Sequence, residues 1–255
     1  MNRKLLKRIL VTSAIAVLGV STSFAALVTE RDQSVDTAPS VGMYRYQVPT
    51  ELQGTYNSTG VANLTTSMEK EPNTLSMNVA HVKGNPSESY VVEIYKDLAA
   101  IETHRKSDQY QAFVNEVGSK LTNRKMYDVQ SVLLFEKKDA LSIVNDGKAV
   151  VTLTEFNVDS NDIDTVQRQY QLDIERAVRD DAGYKAGYVL RDRNAKNHWY
   201  VIQIYSDQEA LTKHLNLSLI HIMMSQIQGS LQNVTTKVLD GDIFVNHGGQ
   251  AFVRP

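Results

Sequence analysis

Hydrophobic spacing along this chain switches between a period of two and a period near 3.6. Residues 41–48 alternate apolar and polar in strand fashion. Pro49 and Thr50 then read as a helix start, with Thr50 as the cap, and Val61, Leu64 and Met68 fall on one helical face. Pro72 and Asn73 break that helix. Residues 75–82 and 90–95 read as two strands joined by a turn at Lys83, Gly84, Asn85 and Pro86. A helical region runs from Asp97 to Leu121, and residues 129–135 read as a fourth strand.

The same order then returns. Residues 150–158 are a strand. The cluster Asp159, Ser160, Asn161 and Asp162 starts a helix whose apolar face carries Ile163, Val166, Tyr170, Ile174 and Val178. Residues 184–190 and 198–205 form a hairpin, 207–231 is helical, and 237–245 is the closing strand. At a constant offset of 110 residues, Tyr90, Val91, Ile94, Tyr95, Asp97, Ala100 and His104 meet Tyr200, Val201, Ile204, Tyr205, Asp207, Ala210 and His214. A repeat this long is an architectural unit, not a short solenoid motif. Each copy reads β-α-β-β-α-β, the ferredoxin-like order, over residues 41–137 and 150–245. Residues 138–149 link the copies, and 246–255 form a C-terminal extension in which Gly248 and Gly249 mark a bend.

The strands carry apolar residues at both parities: Val91 and Tyr95 on one side, Tyr90, Val92 and Ile94 on the other. A sheet with two apolar faces needs a second cover. The expected fold is therefore α+β, with two tandem units packed sheet to sheet as an internal pseudo-dimer. Homodimerisation of the whole chain is left open.

The amino terminus bears on compartment. Arg3, Lys4, Lys7 and Arg8 precede an apolar run at residues 9–20, and Ser23-Phe24-Ala25 offers the small residues of a cleavage site. This reads as a signal peptide over residues 1–25, cleaved between Ala25 and Ala26, followed by a flexible leader to residue 40. The run is short for a membrane span, so no stable anchor is expected after cleavage; an uncleaved anchor is the alternative. The expected location is periplasmic or secreted. Loss of the four basic groups takes the formal charge from −2 to −6, which argues against nucleic acid as a partner. Zero cysteines exclude disulfides, thiolate nucleophiles and Cys-ligated metals.

The stretch from Met68 to Leu75, the hairpin, and then Tyr95, Asp97, Ala100, His104 and Ser107 resembles the antibiotic biosynthesis monooxygenase (ABM) domain. Asp180 to Gly183, Tyr205, Asp207, Ala210 and His214 repeat the resemblance, with Leu217 where the Ser is expected. It implies a dimeric α/β barrel made from two such units. It also implies chemistry of the kinds found in the family: cofactor-free oxidation of anthrones and quinols, haem degradation, or isomerisation. Haem degraders of this fold carry a His ligand ten residues beyond His104 and His214. Val114 and Met224 stand there, so haem ligation is not supported and no cofactor is expected.

Candidate residues follow from these considerations. His104 and His214 could act as general bases on a phenol, or could be helix-borne histidines bonded to neighbouring structure. Tyr46, Asn157 and Trp199 are candidates for lining a substrate cavity, with core packing as the plain reading for Trp199. One side chain of the Tyr44/Tyr46 and Phe156/Asn157 set is expected to point under the helices in each unit; Asn157 is the polar one, and a substrate carbonyl would serve its amide. His221 lies seven residues beyond His214, on the same face but too far to share a metal, and no metal site is expected. More potential donors gather in the second unit, which is the favoured site. The function expected is oxidation of a small aromatic or quinol-like molecule without a cofactor. Ligand binding without chemistry and a purely structural role are the alternatives.

Overall fold

The structure is a computed structural model and describes residues 37–255; the expected signal peptide and most of the leader lie outside them. The first unit contains β1 (Ser40–Gln47), α1 (Gln53–Lys70), β2 (Thr74–Val82), β3 (Asn85–Tyr95), α2 (Leu98–Lys106), α3 (Asp108–Glu116), β4 (Thr122–Tyr127) and β5 (Val129–Glu136). After β6 (Leu141–Val144), the second contains β7 (Val150–Val158), α4 (Ile163–Asp180), β8 (Tyr184–Asp192), β9 (His198–Tyr205), α5 (Gln208–Leu215), α6 (Ser218–Ile227) and β10 (Leu231–Asn246). The last strand is β11 (Ala251–Val253).

Thr50 is not a cap. It opens a short 3-10 turn, Thr50–Leu52, with no side-chain cap bond, because Pro49 has already fixed the chain entry. The long helical regions expected after Asp97 and Asp207 are each broken into two. At Ser107 the backbone turns extended, and its hydroxyl accepts from the N–H of Tyr110 to start α3. Asp97 and Asp207 cap α2 and α5 by accepting from the N–H groups of Ala100 and Ala210, each at 2.8 Å. Each cap stabilises its helix by about 1 kcal/mol. The repeated Asp is therefore a folding signal.

The strands pair in the order β11-β5-β8-β9-β7-β10-β2-β3-β1-β4. Each fourth strand serves both units. β4 pairs with β1 of its own unit, and β5, one residue further along, pairs with β8 of the other. β10 does the same in one run: Leu231–Asp240 lies against β7, and Leu239–Asn246 against β2. Both strands bulge at matching positions, between Ser131 and Leu133 and between Gly241 and Ile243. A bulge bends a strand and raises its twist, which lets it leave one sheet and join the next. Gly241 is required there, since a Cβ would press into Phe244 and Ala149. The two sheets thus face one another and are laced at their edges into a barrel.

Three apolar cores result. The barrel interior joins Met43, Val92 and Ile94 of the first unit to Leu153, Tyr188 and Ile202 of the second. Outside the barrel, the helices of each unit pack on a sheet completed by the other's last strand: Val132 and Leu133 of β5 lie under the second unit's helices, and Ile243 and Val245 of β10 under the first's. This accounts for the apolar residues at both parities.

The link and the extension are not featureless. β6 and β11 occupy equivalent places, β6 against β10 and β11 against β5. No helix among the described residues is long and apolar enough to cross a membrane.

Candidate functional site

His104 and His214 tie helices together. His104 is buried, and its Nδ1 lies 3.1 Å from Glu71 Oε2 and 3.2 Å from Ser67 Oγ. Gln109 and Thr74 also donate to the Glu71 carboxylate, at 2.6 and 2.8 Å. In the second unit, His214 Nδ1 lies 3.2 Å from Asp181, and Nε2 lies 3.5 Å from Asp173. Arg176 bridges these two aspartates. Glu71 and Asp181 are the C-caps of α1 and α4, so each His clamps the end of the long helix to the following helix pair. Tyr95 and Tyr205 pack on the imidazoles. The repeated Tyr-Asp-Ala-His pattern is accounted for by this clamp and the cap.

The remaining sequence candidates are dispersed. His221 is exposed on α6. Asn157 faces the barrel side, where its Oδ1 lies 2.7 Å from His198 Nδ1. Its neighbour Phe156 is the residue under the helices, because strand side chains alternate. Trp199 is fully buried, donates Nε1–H to the carbonyl of Lys196, and packs on Phe156. It fills the second unit's helix–sheet space instead of walling a cavity there. Tyr46 is half-buried under the first unit's helices.

The barrel interior offers little room. Its cavity, bordered by Met43, Asn78, Val92, Leu153, Ile202 and Phe244, measures about 20 Å³, enough for a water molecule.

The helix–sheet layers differ between units. In the second, Phe156, Tyr170 and Trp199 are buried and packed together. At an offset of 110, the first unit has Tyr46, Gly60 and Ser89 in their places. A Cβ added to Gly60 would meet nothing nearer than Ile243 Cδ1, at 3.6 Å. Tyr56 takes up part of this volume and hydrogen-bonds Ser89 at 2.9 Å. Around the rest stand Tyr44, Tyr46, Glu93, Arg105 and Tyr110, all half-buried. The Tyr44 and Tyr46 rings are parallel, 6.0 Å apart. Burial pushes both hydroxyls well above the usual tyrosine range, yet both side chains keep exposed surface. These groups are deep but not sealed from solvent.

Glu93 is the acid of this group. Burial raises its pKa, while the neighbouring His104 and a 3.0 Å hydrogen bond from Tyr95 Oη hold it down. Its counterpart is the neutral Gln203. The Arg105 guanidinium reaches the Tyr44 hydroxyl and pairs with Glu102 at 3.2 Å. The half-buried tyrosines, the acid and the guanidinium of this group all belong to the first unit. The signal that finds them is the set of positions where the repeats differ in volume or charge. Among the described residues, no group of three His, Asp or Glu side chains is placed to hold a metal.

Two ferredoxin-like units joined sheet to sheet in one barrel define a tandem dimeric-α/β-barrel protein. The profile of the antibiotic biosynthesis monooxygenase family matches residues 40–116 and 149–221, and the chain belongs to that family. Among solved structures, it is similar to a protein of Lactobacillus acidophilus NCFM assigned provisionally as a monooxygenase. That match has a TM-score of 0.78 at 17% identity and covers 84% of this chain and 99% of the other. A Fusobacterium nucleatum protein of the same provisional assignment gives 0.76 at 18%, covering 86% and 100%. An anthrone oxidase-like protein gives 0.51 at 10%, covering 87% and 98%. At these identities the likeness establishes the fold. No functionally curated protein matches the sequence.

Proposed function

We propose that a cleft under the first unit's helices binds a planar phenolic or quinol-type small molecule and oxidises it with dioxygen, without a bound cofactor. The observation that carries this reading is the contrast between the units: where the second packs Phe156, Tyr170 and Trp199 fully buried, the first has Tyr46, Gly60 and Ser89, with Tyr44, Glu93, Arg105 and Tyr110 half-buried around them. The two parallel tyrosine rings give a flat apolar guest a surface to lie against. Glu93 accepts the proton of the phenol or of an activated CH2. A carboxylate whose pKa burial has raised is a stronger base than an ordinary one. The substrate anion then gives its electrons to O2. For an anthrone-type CH2, one oxygen atom enters the product as the carbonyl and the other leaves as water with the two hydrogens. The resemblance to an anthrone oxidase-like fold supports the substrate class. Export of the protein is part of the proposal, supported by the basic start and apolar run of residues 1–25; amino-terminal sequencing of secreted material would begin at Ala26.

Oxygen-electrode assays with a panel of anthrones, hydroquinones and naphthols test the reading, alongside calorimetric binding of the same compounds. The expected result is O2 uptake with at least one member. Glu93→Gln should lower turnover by on the order of 10²-fold while binding persists. Binding without O2 uptake would make the cleft a ligand carrier. Absence of binding by every planar phenol and anthrone would refute the proposal.

A further inference from the structure

Three buried polar atoms in the first unit lack partners: Asn78 Oδ1 in the barrel, and His104 Nε2 and Asn63 Oδ1 under the helices. His104 and Asn63 are 1% and 3% exposed. At the offset of 110 they correspond to His214 and Asp173, whose Nε2 and Oδ2 lie 3.5 Å apart. The repeat thus puts the residues that carry the two unsatisfied atoms at the positions of that pair. Asn63 is also one helical turn from Ser67, which touches the same imidazole.

The chemistry of both atoms is defined. Glu71 already accepts from Gln109 and Thr74, and it presents only acceptor oxygens to His104 Nδ1. That nitrogen must carry the proton, so in the neutral ring Nε2 is an acceptor. Asn63 Oδ1 is an acceptor as well. Two neighbouring acceptors cannot satisfy each other, and each is costly to bury alone. One small guest with two donors satisfies both. The aromatic cover also differs: the Tyr184 ring that lies 5.2 Å from His214 is replaced by Thr74, and Tyr110 packs on His104 at 4.9 Å instead.

We infer that the first unit holds a buried, water-sized guest that donates one hydrogen bond to His104 Nε2 and another to Asn63 Oδ1. Water and ammonium share this chemistry. The site is separate from the proposed cleft reaction and stands whether or not that reaction occurs.

A crystal structure of the full chain, solved with sodium and again with ammonium as the only added cation, tests the inference together with nitrogen NMR of the histidine rings. The expected result is a density peak within hydrogen-bonding distance of both atoms, and a His104 ring protonated at Nδ1 alone. A peak and ring shifts independent of ammonium identify water; shifts that saturate with ammonium and not with sodium identify the cation. Asn63→Leu, which removes one acceptor and fills the space, should abolish the peak and move the His104 ring resonances while leaving those of His214 in place. An empty site in the native protein, or a His104 ring protonated at Nε2 and bonded directly to Asn63, would overturn the inference.

Discussion

Glu136 should make the barrel less stable as pH rises from about 5 to 7. It lies at the end of β5, is 4% exposed, and has no cationic partner among the groups that hold it. Burial lifts its pKa from 4.5 to about 7, against hydrogen bonds from Tyr188, Ser76 and Asn246. Tyr188 Oη donates to it at 2.7 Å, and Ser76 Oγ lies 3.1 Å from that hydroxyl. Because the folded-state pKa is the higher one, the folded state keeps a proton that the unfolded chain releases. The associated stability is complete below pH 4.5 and is lost progressively up to about pH 7. At roughly 1.4 kcal/mol per pH unit, the full loss amounts to about 3 kcal/mol. Glu136→Gln keeps an acceptor for Tyr188 and cannot ionise. Urea unfolding of both proteins at half-unit steps from pH 4.5 to 8 isolates the effect. The native protein should lose about 3 kcal/mol relative to the variant over that range, with most of the difference established by pH 7. Parallel curves for the two proteins would refute the argument.

His81 should titrate above its ordinary value, because its Nδ1 lies 2.9 Å from Asp242 and that hydrogen bond outweighs burial. Its contribution to stability is complete below pH 6.5 and fades as pH rises through the raised pKa; a proton-NMR midpoint at or below 6.5 would contradict this. Trp199→Ala should cost about 3–5 kcal/mol, since the ring is fully buried. The native fluorescence should be blue-shifted and resistant to acrylamide; a cost under about 1 kcal/mol would mean that the ring is not packed as described.

The sequence alone determined the order of elements and their duplication, because both depend on local spacing and on a register that needs no partner to be seen. It also implied that each sheet is covered twice, since apolar residues stand at both parities of the strands. The exchange of fourth strands was not legible. Pairing of residues 129–136 with β8, and of 239–246 with β2, is decided by which edges lie open when the two sheets meet. The breaks at Ser107 and Leu217 also escaped the pattern, because apolar spacing continues through them while the backbone does not. The candidate site divides in the same way. His104 and His214 were visible as a repeated pair, but only tertiary structure showed them bound to Glu71 and Asp181 at the ends of the long helices. Tyr46 is visible from its strand position, whereas nothing in the strand pattern singles out Glu93. What sets the surroundings of Glu93 apart is Gly60 and Ser89, which stand where the other copy buries Tyr170 and Trp199. How the helix–sheet layer is filled is a property of packing, decided only once residues from α1, β1 and β3 have been brought together.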